Sequence, residues 1–237
     1  MGAAFPTTEW SLVVAAGDLS SADARQALET LCARYWYPIY AHARQLGIDA
    51  DSARDLTQGF FAYVLEKHTL KTASKERGRF RAFLKTALRN YLAHERERAQ
   101  AQKRGGGTLT LALDFDSAES QYLLEPSHEQ SPDDLFEKRW ARALMTHALQ
   151  QLRKTMEVSD DPDRYRLLEP FLTEPPRKDG YDHVAETLEL SPAAVRMAVR
   201  RLRKLYGDHL RAVIAATVSD PSDIDEELKH LLEVVRS

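Results

Sequence analysis

Apolar residues recur at three- and four-residue steps along almost the whole chain. No alternating apolar–polar stretch persists, so the sequence predicts an all-α protein. Ser20, with Asp23 three residues on, resembles a capping box opening a long helix. Leu28, Leu31, Cys32, Tyr35, Ile39 and Leu46 form its apolar stripe, and Gly47 fits its end. Pro38 lies inside the stripe and is expected to kink the helix or split it in two. A second helix is expected from about Asp51 to Lys67, burying Leu56, Phe60, Tyr63 and Val64. After a polar connector, a third runs from about Arg79 to Gln102, with Phe80, Phe83, Leu84, Ala87, Leu88, Tyr91 and Leu92 inward. Gly105-Gly106-Gly107 stops it.

Thr108 to Pro132 reads as an acidic connector. Its short alternating piece, Leu109 to Leu113, is either strand-like or packed against a domain. Asp133 restarts helix, with Leu135, Phe136, Trp140, Leu144, Ala148 and Leu152 inward. Two Pro- and Asp-rich gaps bracket a helix carrying Leu167, Leu168, Phe171 and Leu172. Tyr181 to Tyr206 then has the pattern of a helix-turn-helix. Val184, Ala185 and Leu188 share one face, and Ser191-Pro192 supplies an N-cap and a first-turn proline. Val195, Val199, Leu202 and Leu205 or Tyr206 form the buried stripe of the second helix. Arg196, Arg200, Arg201, Arg203 and Lys204 fall largely off it. A short helix, a tight turn and a cation-rich helix can enter a DNA major groove and grip its phosphates. The last segment places Ile224, Leu228, Leu231, Leu232 and Val235 on one face, and no internal repeat is visible.

Charge changes this picture only locally. The net charge of −3 argues against nucleic acid, but the average conceals segregation. Lys75 to Arg104 holds ten Lys or Arg against three Glu, whereas Gly105 to Glu137 has eight acids and no Lys or Arg. Two basic blocks separated by an acidic connector suggest two DNA-facing modules. The single cysteine, Cys32, excludes an intramolecular disulfide and a cysteine zinc site, and is expected in the core. No secretory signal or membrane span is read, so a cytoplasmic location is expected. No phosphate-binding glycine loop follows a strand, and the eight histidines are scattered, so neither an enzyme nor any cofactor or metal is expected.

The first half resembles the core-binding domain of bacterial RNA polymerase sigma factors of the extracytoplasmic-function class, in the sigma-70 family. Tyr35-x-x-Pro38-x-Tyr40-x-x-Ala43-Arg44-x-x-Gly47 is similar to that family's opening helix. Ser52-Ala53-Arg54-Asp55-Leu56-x-Gln58-x-Phe60 stands where the family has an acidic segment, and Phe80-Arg81-Ala82-Phe83-Leu84 with Ala87, Arg89 and Asn90 resembles its promoter-melting helix. The second half resembles the family's terminal helix-turn-helix domain.

The resemblance implies residues 1–104 as a region 2-like helical domain and 105–132 as a flexible acidic linker. Residues 133–207 become a region 4-like helix-turn-helix domain, with 208–237 as an amphipathic acidic extension. It implies core RNA polymerase and promoter DNA as partners, and a monomer when free. Arg77, Arg79, Arg81, Lys85, Arg89 and Asn90 would face DNA in the first domain, with Lys71 and Lys75 adding to the cationic surface and Tyr91 able to hold an unstacked base. In the second, Arg196, Met197 and Arg200 would reach base edges while Arg201, Arg203 and Lys204 would hold phosphates. Asp51, Asp55 and Gln58 would meet the polymerase.

Departures from the family pattern point to regulation. Ser52, Arg54 and Gly59 occupy three of the usual acidic places, which should weaken polymerase binding. Phosphorylation of Thr57 or Ser52 by a Ser/Thr kinase would add about −1.5 to −2 charge there, with Thr57 the leading candidate on the expectation that it sits in that surface. Glu189 takes a turn position where glycine is common, so the turn is expected to be wide or strained. The final amphipathic segment is expected to dock on the second domain, its acids shielding the basic helix. The alternative is a helix-turn-helix regulator that does not initiate transcription. Such a regulator would normally dimerise, and would have no need for the basic helix at 79–104.

Overall fold

The computed structural model describes residues 22–66, 79–101, 113–124, 131–158, 161–173, 180–218 and 220–236. Ser20, Lys71, Lys75, Arg77, the glycines at 105–107 and Leu109 to Ala112 lie outside them. Among the described residues every regular element is helical and there is no strand. In order these are α1 (Ala22–Gln45), α2 (Ala50–Glu66), α3 (Phe80–Ala101), α4 (Phe115–Leu124), α5 (Pro132–Glu157), α6 (Pro162–Leu168), α7 (Pro170–Thr173), α8 (Gly180–Thr187), α9 (Pro192–Thr217) and α10 (Ile224–Arg236), the last entered through a 3₁₀ turn at Pro221–Asp223. None of these helices is long and apolar enough to cross a membrane.

The chain divides into two compact units, residues 1–143 with 214–237, and residues 144–213. In the first, Tyr35 stacks on Trp140 with ring centroids 4.5 Å apart, and Phe80 lies 5.4 Å from Tyr35. This aromatic centre ties α1, α3 and α5 together. Cys32 is buried, as its place on the stripe requires. α1 continues through Pro38 as one helix, so the expected split in two does not occur. Gly47 ends it at φ +82°, a left-handed conformation that glycine adopts without penalty, and the Ile48 N–H closes the turn on the Ala43 carbonyl at 3.3 Å.

The acidic connector, expected to be flexible, is helical over part of its described residues. α4 lies within it, and buried Phe115 and Ala118 pack with Tyr40, Ala43 and Ala53. Glu119 fixes it further. Its carboxylate accepts a bidentate pair from Arg44 (Nε 2.9 Å, Nη2 2.7 Å) and a hydrogen bond from the Tyr40 hydroxyl at 2.5 Å. The acid that marks the segment as a solvated linker in sequence is therefore an anchor. Arg139, wholly buried on α5, donates to Gln45 Oε1 at 3.1 Å and lies over the Tyr122 ring of α4.

In the second unit, Val184, Ala185, Val195, Val199 and Leu202 meet Leu152, Tyr165, Leu168 and Phe171 in one apolar cluster. The inward stripe read from the sequence is the observed one. α9 differs in length. It runs on through Gly207 and Asp208 to Thr217, so Asp208 lies inside the helix rather than beyond it.

Candidate nucleic-acid interface

The helix-turn-helix is built by local rules. α8 ends with the Leu190 N–H on the Ala185 carbonyl at 2.9 Å, and Glu189 takes φ +52°. A side chain in that region costs on the order of 1 kcal/mol, which is the strain expected from the missing glycine. Ser191 caps α9, its Oγ accepting from the Ala194 N–H at 3.2 Å. With Val195, Val199 and Leu202 inward, Arg196, Met197, Arg200, Arg201 and Lys204 are exposed on the opposite side. Arg203, of the expected phosphate-binding set, is exposed and also makes a structural contact. Its Nε and Nη2 donate to the Phe171 carbonyl at 3.2 and 2.9 Å, so its guanidinium satisfies the end of α7.

The cationic helix of the first unit is arranged differently. Arg89 and Asn90 are exposed on α3, but Arg79, Arg81 and Lys85 all meet carboxylates. Arg81 pairs with Glu137 of α5 and with Glu227 of α10, the latter at 2.7 Å. Arg79 reaches Glu227 and Glu226, both at 3.0 Å. Lys85 lies 3.1 Å from Asp133 and 3.2 Å from Glu137, and His230 Nε2 is 3.4 Å from Glu137. The final helix, expected to dock on the second domain of residues 133–207, instead groups with the first unit: its acids sit on α3, and of that range the contact above is His230 with Glu137. Glu227 stands at i+3 from Ile224 and i+4 to Leu231, on the inward face of α10. That spacing is the signal in the sequence that would have found it.

This cluster sets a pH dependence. Burial alone raises the Glu137 carboxyl, but the Arg81 charge and the Lys85 hydrogen bond outweigh it and hold the pKa below the ordinary 4.5. The Lys85 hydrogen bond lowers Asp133, and the Arg44 hydrogen bonds lower Glu119. A carboxylate with a depressed folded pKa stabilises fully above its unfolded value, and that stability is lost as pH falls through the folded value. The urea midpoint is therefore expected to fall most steeply below about pH 4.5. Glu137→Gln should flatten that decline.

The α2 surface carries two corrections. Asp49 caps α2 by accepting from the Ser52 N–H at 2.9 Å, and Asp51, Ser52, Arg54 and Asp55 are exposed in the following turns. Thr57 is 0% exposed, its hydroxyl donating to the Ala53 carbonyl at 2.7 Å, and Gln58 is also buried. Both are buried with Ala53, Phe60 and Val64, so neither lies on the exposed surface of α2. Gly59 has a steric reason. A Cβ there would collide with the Tyr91 hydroxyl, so an acid at this place does not fit the present packing. Gly59→Ala is expected to lose about 1–3 kcal/mol, with Tyr91→Phe in the same chain recovering most of it in urea denaturation.

A pocket of about 250 Å³ in the first unit is lined by Leu46, Leu88, Leu92 and Phe136 with His42, Lys85, Arg89 and Asp133. It is smaller than the roughly 300–1,000 Å³ of ordinary ligand sites. Among the described residues no group of three His, Cys, Asp or Glu could hold a metal ion. Comparison of the chain with family models, with curated proteins and with solved structures finds no match in any of the three.

Proposed function

We propose that this chain is a DNA-binding protein of transcription, and within that class a sigma factor resembling the extracytoplasmic-function kind. In this reading it joins core RNA polymerase in the cytoplasm and directs it to promoters. One observation carries the first step: Arg196, Arg200, Arg201 and Lys204 stand exposed along the second helix of a helix-turn-helix whose other face is packed. That is the cationic footprint of a groove-binding helix. The second step rests on the resemblance of α1, α2 and α3 to the sigma core-binding domain. Exposed Arg89 and Asn90 on α3 and exposed Asp51 and Asp55 on α2 are compatible with contacts to DNA and polymerase respectively.

The depleted acidity of α2 supports a low resting affinity for polymerase, raised by a Ser/Thr kinase. Of the two candidate hydroxyls, Ser52 is the one a kinase can reach. It lies in the first turn of α2, where the helix dipole favours added negative charge. Ser52→Glu is expected to strengthen binding to purified core polymerase by about 0.2–1 kcal/mol, the worth of one exposed ion pair, measured by titration with labelled protein. Equal binding by Ser52→Glu and the unsubstituted chain would count against the switch. Size-exclusion chromatography separates this reading from the dimeric regulator, since a sigma factor is expected to run as a monomer.

A further inference from the structure

We propose that α10 is a displaceable anionic cover, whose carboxylates occupy the places that nucleic-acid phosphates take on the cationic start of α3. The inference rests on the reading of α3 as a DNA-facing helix and concerns how that face is regulated. Arg79 and Arg81 stand at the N-terminal end of α3, where the helix dipole disfavours cations and where acids are the stabilising choice. Their placement therefore does nothing for α3 itself. What satisfies them is an outside set of oxyanions, Glu226 and Glu227 from α10 and Glu137 from α5. A guanidinium fork that takes a carboxylate with two donors takes a phosphate in the same way.

The contact is graded from rim to interior, as a surface that opens from one edge would be. Glu226 is 71% exposed and Arg79 27%, whereas Arg81 is 11% and Glu227 3% exposed. The apolar grip of α10 is shallow. Leu231 is buried and Ile224 and Leu228 partly so, while Leu232 and Val235 face solvent. Charge therefore contributes a large share of the docking, and charge is what a polyanion competes for. Releasing α10 would free the Arg79 guanidinium and leave Arg81 with Glu137 of α5 alone, raising the positive charge of the helix that also carries exposed Arg89.

The test uses the full chain and a short fluorescein-labelled single-stranded oligonucleotide, with affinity read by anisotropy across a salt series. Glu226→Gln with Glu227→Gln is expected to bind about tenfold more tightly at low salt. The plot of log affinity against log salt should steepen by about 1.4, the increment for two added phosphate contacts on a single strand. Unchanged affinity and slope in a variant with native circular dichroism overturns the proposal and leaves the cluster as a purely structural one. Should the double variant fail to fold, Glu226→Lys, at a largely exposed position, decides by the same readout. Run-off transcription with core polymerase separates the two readings. Tighter oligonucleotide binding without initiation by any form keeps the cover and removes the sigma reading. Initiation by the unsubstituted chain, with no gain on removing the acids, does the reverse.

Discussion

Thr57→Glu is expected to cost on the order of several kcal/mol and to abolish cooperative unfolding near room temperature if the chain is only marginally stable. The side chain at this place is wholly buried, its hydroxyl donating to the Ala53 carbonyl. A carboxylate there loses its water and gains no cation, so it either protonates or forces the helix off its partners. Thr57→Val keeps the shape and loses one hydroxyl bond to the Ala53 carbonyl. That carbonyl still belongs to the helix ladder, so the change is expected to stay within about 1 kcal/mol. Urea unfolding followed by circular dichroism distinguishes the two, and an undiminished midpoint for Thr57→Glu would contradict the burial. The consequence for the kinase question is practical. Loss of polymerase binding by an acidic residue at 57 would report misfolding, whereas Ser52→Glu leaves the interior untouched.

The second large effect belongs to α9. Replacing Arg196 and Arg200 together by alanine is expected to weaken duplex DNA binding at least about thirtyfold, since each base-edge contact contributes about 1–3 kcal/mol. Thermal stability should barely move, because both side chains project to solvent. Arg203→Ala should behave in the opposite way. It removes two hydrogen bonds from the Phe171 carbonyl and costs about 1 kcal/mol of stability, with a smaller effect on DNA. Equal losses of DNA affinity from the two changes, with folding intact, would count against the assigned face of α9.

Most of the helices were legible because their stripes are long and unbroken. α3 and the first half of α9 follow directly from apolar spacing, and Ser191-Pro192 marks the start of α9. Residues whose polarity conceals their position were harder to read. Thr57 and Gln58 sit at buried helical positions that the eye assigns to apolar types, and Glu119 looks like one more charge in an acidic run until its pairing with Arg44 is seen. The boundaries of the two units escaped for a different reason. Both boundaries fall inside continuous helices, α5 and α9, with no glycine or proline at the boundary itself. The cationic face of α3 was visible as a run of basic residues. Its occupation by α10 depends on contacts 146 residues apart in the chain, which local pattern does not report.

The central claim is that this chain directs initiation. Run-off transcription tests it most directly, using purified core RNA polymerase, this protein with and without Ser52→Glu, and a fragmented genomic template. The account predicts transcripts starting at discrete positions, more abundant with the substituted chain. No discrete initiation by either form, while both still bind duplex DNA, would contradict it and favour a regulator that acts without recruiting polymerase.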